Sequence, residues 1–235
     1  MNKLKLPPDL NGLFLPLRDN KAFVIGQLGQ SLDGKIATET GDSKYISGKD
    51  GLLHLHRLRS FSEAVVVGVG TVLADNPQLN LRLCGGSDPA RVIIDPRGRL
   101  PPDALVLRND GTRCIVITTR YSSINFAKIE FASHVERIEL DAVEDSISPL
   151  KIIEVLGELG FHKLLIEGGA HTISKFLSDN ALDRLHITVS PIIIGSGKSG
   201  LNLSPIGFLS EALRPKTQSY LIGKDVVFDC NFRDC

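Results

Sequence analysis

The segment KLLIEGGAHT, residues 163–172, carries the strongest structural signal in the chain. Its apolar beginning is typical of a buried strand, and the residues after Gly169 are typical of a helix. A strand that stops at two glycines and continues as a helix directs free backbone N–H groups and the positive end of the helix dipole toward one point. Phosphate groups bind at such points, and glycine lets them approach the backbone closely. The segment also fits an ordinary strand–turn–helix connection, and by itself it leaves both interpretations open.

Short apolar runs rich in β-branched residues recur along the chain, as expected for strands that are buried on both faces. They lie at residues 22–25, 64–67, 91–94, 114–117, 164–166 and 186–189. Helical patterns over residues 51–60, 149–159 and 170–177 separate several of them. This alternation predicts a three-layer α/β/α fold around a mostly parallel sheet.

The carboxyl-terminal part has a different pattern. Residues 182–194 predict a long strand, and residues 219–222 and 225–230 flank Gly223-Lys224 as an antiparallel hairpin. We predict one domain over residues 22–235. Residues 1–21, which include three prolines, are predicted to be an N-terminal surface extension that lies over the core.

The overall charge is balanced, with 27 basic and 27 acidic residues, so no global field attracts nucleic acid or an anionic membrane. No apolar run approaches the length that spans a bilayer. The amino terminus lacks the apolar core and cleavage site of a signal peptide. We therefore expect a cytoplasmic protein that binds neither nucleic acid nor membranes.

Cysteine and histidine give no sign of a metal site. The four cysteines have no CxxC spacing and are expected to be reduced thiols. His54 and His56 come closest to a ligand pair, but on a helix their side chains point in different directions. A surface role is therefore expected for both histidines, and no metal is predicted.

Three glycine-punctuated loops are predicted where strands end, at residues 27–37, at residues 68–77 and at the Glu167-Gly168-Gly169 turn. If the three strands are neighbours, the loops line one cleft of the size that a dinucleotide and a small substrate need. The Glu167 carboxylate would lie at the carboxyl end of its strand, where open α/β sheets place ligands.

Several polar residues near these loops are candidate ligand contacts. Arg59 and Arg82 suit phosphate, which a guanidinium group binds through two parallel hydrogen bonds, although each also fits a solvated position. Ser43 and Thr71 could donate to phosphate oxygens or cap local turns. Asp33 and Asp75 fit turn positions better than catalytic ones.

A second group of arginines follows later strands. Either the pair Arg97 and Arg99 or the single Arg120 could bind the 2′-phosphate of NADP.

Several familiar catalytic motifs are missing from the sequence. It contains no GxGxxG after the first strand, no GxxxxGK[ST] loop and no GxSxG elbow. Glycine turns, arginines, hydroxyls and one carboxylate, without a nucleophile or a metal, suit hydride transfer. In that chemistry a cofactor reacts and the protein positions two ligands.

Seven segments of the chain form a recognisable set: SLDGKIA, GDSKYIS, HRLRS, VGVGTVLADNPQLNLR, VIIDPRGR, LLIEGGAHTISKFL and VSPIIIGSGKSGL. Through them the chain resembles the reductase domain of the bifunctional deaminase–reductase of riboflavin biosynthesis, which has a dihydrofolate-reductase-like fold. The resemblance covers roughly residues 22–230.

The resemblance implies a reductase domain over residues 22–235 that uses NADPH to reduce the ribosyl group of a phosphorylated pyrimidine. The implied substrate is 5-amino-6-(5-phosphoribosylamino)uracil, and the implied assembly is a homodimer. The H-x-E … P-C-x-x-C signature of the family's zinc deaminase is absent, so a separate deaminase is expected. The implied NADPH-binding residues are Gly29, Tyr45, Thr71, Asp75 and the turn from Gly168 through Gly169, Ala170, His171 and Thr172 to Lys175; the implied substrate-binding residues are Ser43, Arg59, Leu79, Arg82 and Glu167.

Glu167 and Gln27 are the predicted catalytic residues. Family members commonly carry lysine at the position of Gln27, and glutamine can hydrogen-bond a substrate oxygen but supplies no charge or proton. This difference motivates a second hypothesis, a reductase of the same fold with another heterocyclic substrate. A third hypothesis is a nucleotide-binding protein that has lost the chemistry.

Overall fold

The computed structural model describes residues 7–44, 46–122, 131–143 and 146–233. The helices are α1 (Asn11–Asp19), α2 (Lys49–Phe61), α3 (Val69–Asp75), α4 (Pro149–Glu158) and α5 (Ala170–Ser178), and short 3-10 helices occupy Pro8–Leu10, Leu105–Leu107, Arg120–Ser122 and Leu209–Glu211. The strands are β1 (Phe23–Ser31), β2 (Lys35–Thr38), β3 (Ala64–Gly68), β4 (Ala90–Ile94), β5 (Cys114–Thr118), β6 (Val135–Glu139), β7 (Ala142–Val143), β8 (Ser146–Ile147), β9 (Lys163–Glu167), β10 (Arg184–Ser190), β11 (Gly197–Ser199), β12 (Lys216–Ile222) and β13 (Asp225–Asn231).

A nine-stranded sheet forms the centre of the molecule, in the order β12-β13-β10-β1-β9-β3-β4-β5-β6. The strands from β10 to β6 in this order pair in parallel, while β13 pairs antiparallel with both β10 and β12. The described residues thus confirm the predicted α/β fold, a mostly parallel sheet with an antiparallel C-terminal hairpin. The carboxyl ends of β1, β3, β4 and β9 meet at one edge of the sheet, because these strands run side by side.

Two apolar clusters, one on each face of the sheet, form the core. Helices α1 and α2 contribute to the first cluster through residues such as Phe14 and Leu58. Helices α4 and α5 contribute to the second through residues such as Leu156 and Phe176. The three predicted layers are therefore present, and each helix buries its apolar side against the central sheet.

The amino-terminal segment corrects one expectation. We expected residues 1–21 to be a surface extension, but α1 buries Leu13, Phe14 and Leu17 completely or almost completely within the first core cluster. These side chains recur at the three- and four-residue spacing of one helix face, and Pro16 does not prevent the helix. Residues 1–6 lie outside the described residues, and the domain boundary at residue 21 stays a prediction.

Two of the predicted loops are regular structure. Residues 27–31 continue β1, because each of them pairs with a residue of β10 from His186 to Ser190. Residues 69–75 form α3, which ends at Asn76 in the left-handed conformation. The third predicted loop, the turn at Gly168 and Gly169, joins β9 to α5 as expected.

Candidate active site

A cavity of about 650 Å³ lies at the carboxyl edge of the sheet, where β3, β4 and β9 end. The first turn of α5 forms part of its wall through Ala170, His171 and Thr172, and Gly169 is the N-cap of that helix. The backbone N–H groups of a first turn have no partner within their own helix, so they are free to bind an anion. The predicted phosphate turn therefore lines a cavity.

The charged side chains that line this cavity all carry the same sign. They are Arg97, Arg99, Lys175 and Lys198, and no carboxylate is present among the described lining residues. Lys175 also pairs with Asp179, outside the lining, at 3.1 Å, but the lining itself remains positive, in contrast to the zero net charge of the chain as a whole. The cavity therefore suits a ligand with several negative charges, such as one that carries more than one phosphate.

Glycine allows two chain segments to approach closely at the cavity. The Thr71 hydroxyl donates a hydrogen bond of 3.2 Å to the Gly168 carbonyl, and a Cβ atom at Gly169 would lie 3.2 Å from the same hydroxyl oxygen. A Cβ atom at Gly68 would lie only 2.5 Å from the Thr172 hydroxyl. The turn is thus packed closely against α3.

One wall of the cavity comes from a segment that sequence reasoning missed. Lys198, Ser199 and Asn202 line the cavity, and Asp33 holds their loop by accepting hydrogen bonds from the backbone of Ile194 and Gly195 at 3.1 and 2.7 Å. The Ser31 hydroxyl, followed by the Ile194 N–H, lowers the pKa of Asp33 to about 2. The signal in the sequence is the run IGSGKSG, a cluster of Gly, Ser and Lys that follows a predicted strand.

A second group of polar residues, here called the Glu167 cluster (Gln27, Arg59, Asn80 and Glu167), lies immediately before the phosphate turn. The Arg59 Nε and Nη2 atoms donate to the two carboxylate oxygens of Glu167 at 2.6 and 2.8 Å. Arg59 Nη1 donates to the Asn80 carbonyl at 2.9 Å. Arg59 and Glu167 are only 5% and 7% exposed. The Nε and Nη2 atoms of Arg59 therefore bind Glu167, whereas we had expected the guanidinium group to bind substrate phosphate.

Gln27 lies directly beside Glu167, because these residues are paired across β1 and β9. Both side chains project on the same face of the sheet, as residues in parallel register do. The Gly168 N–H donates to the Gln27 carbonyl at 3.1 Å, which fixes the start of the phosphate turn against β1. The two predicted catalytic residues are thus brought together next to the cavity.

Arg82 is exposed near this cluster and hydrogen-bonds the Asn80 side chain at 3.3 Å. Its backbone N–H donates to His56 Nδ1 at 3.3 Å. Burial, followed by the charges of Arg59 and Arg82, lowers the pKa of His56 to about 4, so the ring is neutral and accepts this bond at neutral pH. Arg82 is therefore the arginine of the predicted pair that is available to an incoming phosphate.

The remaining predicted site residues lie at different places. Leu79 has φ +53° and a side chain within the first core cluster, so only its backbone can meet a ligand. The Ser43 hydroxyl lies 3.5 Å from the Asp75 carboxylate, and neither residue lines the cavity. Gly29 is part of β1, lies next to the Ser47 side chain and does not line the cavity either. Tyr45 lies outside the described residues. Of the two arginine alternatives, Arg97 and Arg99 line the cavity and Arg120 does not.

The expectation of a surface role for His54 and His56 is wrong, because both are buried. His54 Nε2 lies 3.1 Å from His186 Nδ1, and His186 lies beside Asp229, so α2 is joined to the sheet through a buried polar chain. Burial lowers the pKa of His54 and of His186. Among the described residues, no three His, Cys, Asp or Glu side chains come together as a metal site would require.

Comparison with known proteins identifies the family of the chain. The family model of the RibD C-terminal domain matches residues 22–228. The chain belongs to the RibD C-terminal domain family. Within the part of it that the structure describes, no helix has the length and apolarity that crossing a membrane requires.

Relatives of this RibD C-terminal domain are of two lengths. The riboflavin biosynthesis protein RibD of Bacillus amyloliquefaciens is 33% identical over 223 residues, which cover 93% of this chain and 60% of that protein. The 2,5-diamino-6-ribosylamino-4(3H)-pyrimidinone 5′-phosphate reductase of Methanothermobacter thermautotrophicus is 30% identical over 216 residues, which cover 89% of this chain and 97% of that protein. The chain therefore spans about 60% of the RibD protein and nearly all of the archaeal one.

A solved structure agrees with this assignment. The diaminohydroxyphosphoribosylaminopyrimidine deaminase/5-amino-6-(5-phosphoribosylamino)uracil reductase of Thermotoga maritima superposes with a TM-score of 0.75 at 31% identity. The match covers 94% of this RibD C-terminal domain and 59% of that chain.

Proposed function

We propose that the protein is an NADPH-dependent reductase that converts the ribosyl group of 5-amino-6-(5-phosphoribosylamino)uracil into a ribityl group in riboflavin biosynthesis. The observation that carries the proposal is a cavity with four cations and a free helix N-terminus beside the Glu167 cluster. The names of the relatives, which include a uracil reductase and a pyrimidinone phosphate reductase, support the reaction class.

The cavity fits NADPH in size and in the chemistry of its walls. The turn at Gly169 and the first turn of α5 would hold the pyrophosphate, since their N–H groups and missing side chains suit it. Arg97 and Arg99 would bind the 2′-phosphate. When bound, the cofactor would supply the hydride that reduces the sugar.

The Glu167 cluster would hold the pyrimidine and its ribose. Each Glu167 oxygen accepts one hydrogen bond from Arg59, and a carboxylate offers about four acceptor sites. Glu167 can therefore accept further bonds from substrate hydroxyl or N–H groups while Arg59 fixes its position. The Gln27 amide, which both donates and accepts, would orient a carbonyl or ribose oxygen. Arg82 would bind the 5′-phosphate.

A second substrate is supported by a specific observation. The chain covers 97% of an archaeal reductase whose name specifies the 2,5-diamino-pyrimidinone, the form that still carries the amino group that deamination removes. Gln27, at a position where the family resemblance implies a lysine, is a further reason to test another substrate. Both substrates share the ribose phosphate and differ only on the pyrimidine ring.

The test of function is turnover by the purified protein with NADPH and each of the two pyrimidine substrates. Loss of the nicotinamide absorbance with the uracil compound supports the leading proposal, and faster loss with the diamino compound supports the second candidate. Tight NADPH binding without turnover of either compound would indicate a different heterocyclic substrate. Absence of NADPH binding would overturn the proposed function.

Arg82→Ala provides a test of the substrate side. We expect its KM for the phosphorylated substrate to rise about tenfold or more, since a hydrogen bond to a charged group contributes about 1.5–3 kcal/mol. The affinity for NADPH should stay unchanged, because Arg82 does not line the cavity. Calorimetric titration of both ligands measures the difference, and a loss of NADPH affinity alone would reverse the assignment. Arg137→Ala, on the exposed edge strand β6, is a matched control.

We also propose that a second copy of the chain covers the antiparallel end of the sheet. Leu221 and Phe228 share one sheet face by register and are 68% and 38% exposed. Val226, paired with Leu221, belongs to the same face, so three apolar side chains lie close together there. Sedimentation at several concentrations tests the dimer, and Leu221→Lys should shift the protein toward the monomer.

A further inference from the structure

The turn that brings Arg97 and Arg99 to the cavity is held by a carboxylate that does not line it. Strand β4 ends at Ile94, and the next residue, Asp95, is completely buried. Asp95 Oδ2 accepts hydrogen bonds from the backbone N–H groups of Arg99 and Leu100 at 2.6 and 2.7 Å. One carboxylate oxygen therefore closes the turn around Gly98, which has φ +66°.

The same turn is held from its other side by the end of β5. The Thr118 hydroxyl donates to the Asp95 carbonyl at 3.0 Å, and the Thr119 hydroxyl donates to the Pro96 carbonyl at 2.8 Å. The Asp95 N–H donates to the Ile117 carbonyl at 2.8 Å. The backbone that carries the two arginines is thus fixed before any ligand binds.

Asp95 Oδ1 is a buried oxygen without a hydrogen-bond partner among the described residues. Burial raises the pKa of Asp95, against the lowering effect of the N–H groups of Leu100 and Arg99. A buried carboxylate of this kind is unfavourable for stability by itself. The unfavourable burial of Asp95 is consistent with a role in arranging the turn. Asp95 does not line the cavity, so its carboxylate oxygens do not themselves contact a ligand there.

We propose that Asp95 is a positioning residue that holds the Pro96–Arg99 turn in the form that binds the 2′-phosphate, and thereby gives the protein its preference for NADPH over NADH. The inference rests on the proposed function, because it assumes that the cavity binds a nicotinamide dinucleotide. A turn held in its bound form avoids the ordering cost that a free loop with two long side chains would incur on binding. NADH lacks the 2′-phosphate, so the fixed Pro96–Arg99 turn does not raise the affinity for NADH.

The experiment compares the affinities of NADPH and NADH, measured by calorimetric titration, in three variants. Asp95→Ala removes the acceptor, and we expect NADPH affinity to fall about tenfold or more, the effect of one lost charge-assisted hydrogen bond. NADH affinity should change by less than about twofold. Asp95→Asn keeps an acceptor oxygen for the two N–H groups and should retain NADPH affinity within about threefold.

Glu63→Ala is the matched control for loss of a backbone-binding carboxylate. Glu63 Oε2 accepts the consecutive N–H groups of His162 and Lys163 at 2.6 and 3.0 Å, at the opposite edge of the sheet. This variant should leave the ratio of the two affinities at its original value. If it changes that ratio as much as Asp95→Ala does, the positioning role is refuted.

Thr119→Val is a second test in case Asp95→Ala does not fold. It removes the hydroxyl that binds the Pro96 carbonyl and nearly preserves side-chain shape, so NADPH affinity should fall several-fold while NADH affinity is kept. The inference would be overturned if the affinities for NADPH and NADH fell in parallel. It would also be overturned if NADPH affinity did not fall in Thr119→Val or in a folded Asp95→Ala protein. Failure of the original protein to bind either dinucleotide would instead reject the proposed function.

Discussion

Arg59→Ala is expected to lower the free energy of unfolding by about 3–5 kcal/mol, because it leaves the Glu167 carboxylate buried without its charged partner. The two side chains form a bidentate pair of 2.6 and 2.8 Å and are almost completely removed from solvent. Urea denaturation of the original protein and of Arg59→Ala measures the change. The comparison requires that the unfolding free energy of both depends on urea concentration with the same slope.

An exposed pair of the same geometry serves as the control. Arg113 donates to both oxygens of Glu136 at 2.7 and 2.8 Å, but the two side chains are 43% and 41% exposed. Loss of the Arg113–Glu136 ion pair should therefore cost no more than about 1 kcal/mol, as surface pairs do. The contact of Arg113 with the Phe161 ring adds a contribution of similar size at most. A loss in Arg59→Ala no larger than in Arg113→Ala would contradict the prediction.

A double variant separates the cost of an unpaired charge from the value of the pair. Arg59→Met combined with Glu167→Leu removes both charges and keeps apolar volume, so it should recover much of the stability that Arg59→Ala loses. Turnover should nevertheless be lost, because Glu167 is a proposed substrate contact. Stability and activity would then separate, as expected if Glu167 contacts the substrate.

Gly169→Val is expected to weaken NADPH binding at least about hundredfold, which corresponds to about 2.8 kcal/mol. Gly169 has φ −83°, so its backbone conformation would accept another residue, and the limit is space. Its Cβ atom would already lie 3.2 Å from the Thr71 hydroxyl, and the branched valine would extend into the cavity where the pyrophosphate is proposed to bind. Calorimetric titration with NADPH measures the loss.

Two further variants make this result specific. Gly169→Ala, with a single added carbon, should give an intermediate loss of affinity. Gly85→Val is the control, because a Cβ atom at Gly85 would meet no atom within 4 Å and this residue does not line the cavity. Unchanged NADPH affinity in a folded Gly169→Val protein would mean that the phosphate turn does not bind the cofactor.

Local patterns in the sequence were sufficient for the elements that their own residue types and periodicity identify. The alternation of β-branched runs with helical periodicity predicted strands β3, β4, β5 and β9 and helices α2, α4 and α5 close to their observed bounds, but it did not predict β6, β7 or β8. The turn at Gly168 and Gly169 was predictable for the same reason, since a strand, two glycines and a helix follow directly along the chain.

The tertiary structure decided whatever depends on partners that are distant along the chain. Residues 27–31 appeared to be a loop, but they extend β1 because β10 supplies hydrogen bonds from about 160 positions later. Arg59 appeared to be a phosphate clamp, but its guanidinium group meets Glu167, 108 positions away. Which groups neutralise each other is set by how the sheet orders its strands, and local composition does not encode that order. The sequence by itself therefore determined the elements and the site's chemical inventory, and the fold determined which of those groups are left to face a ligand.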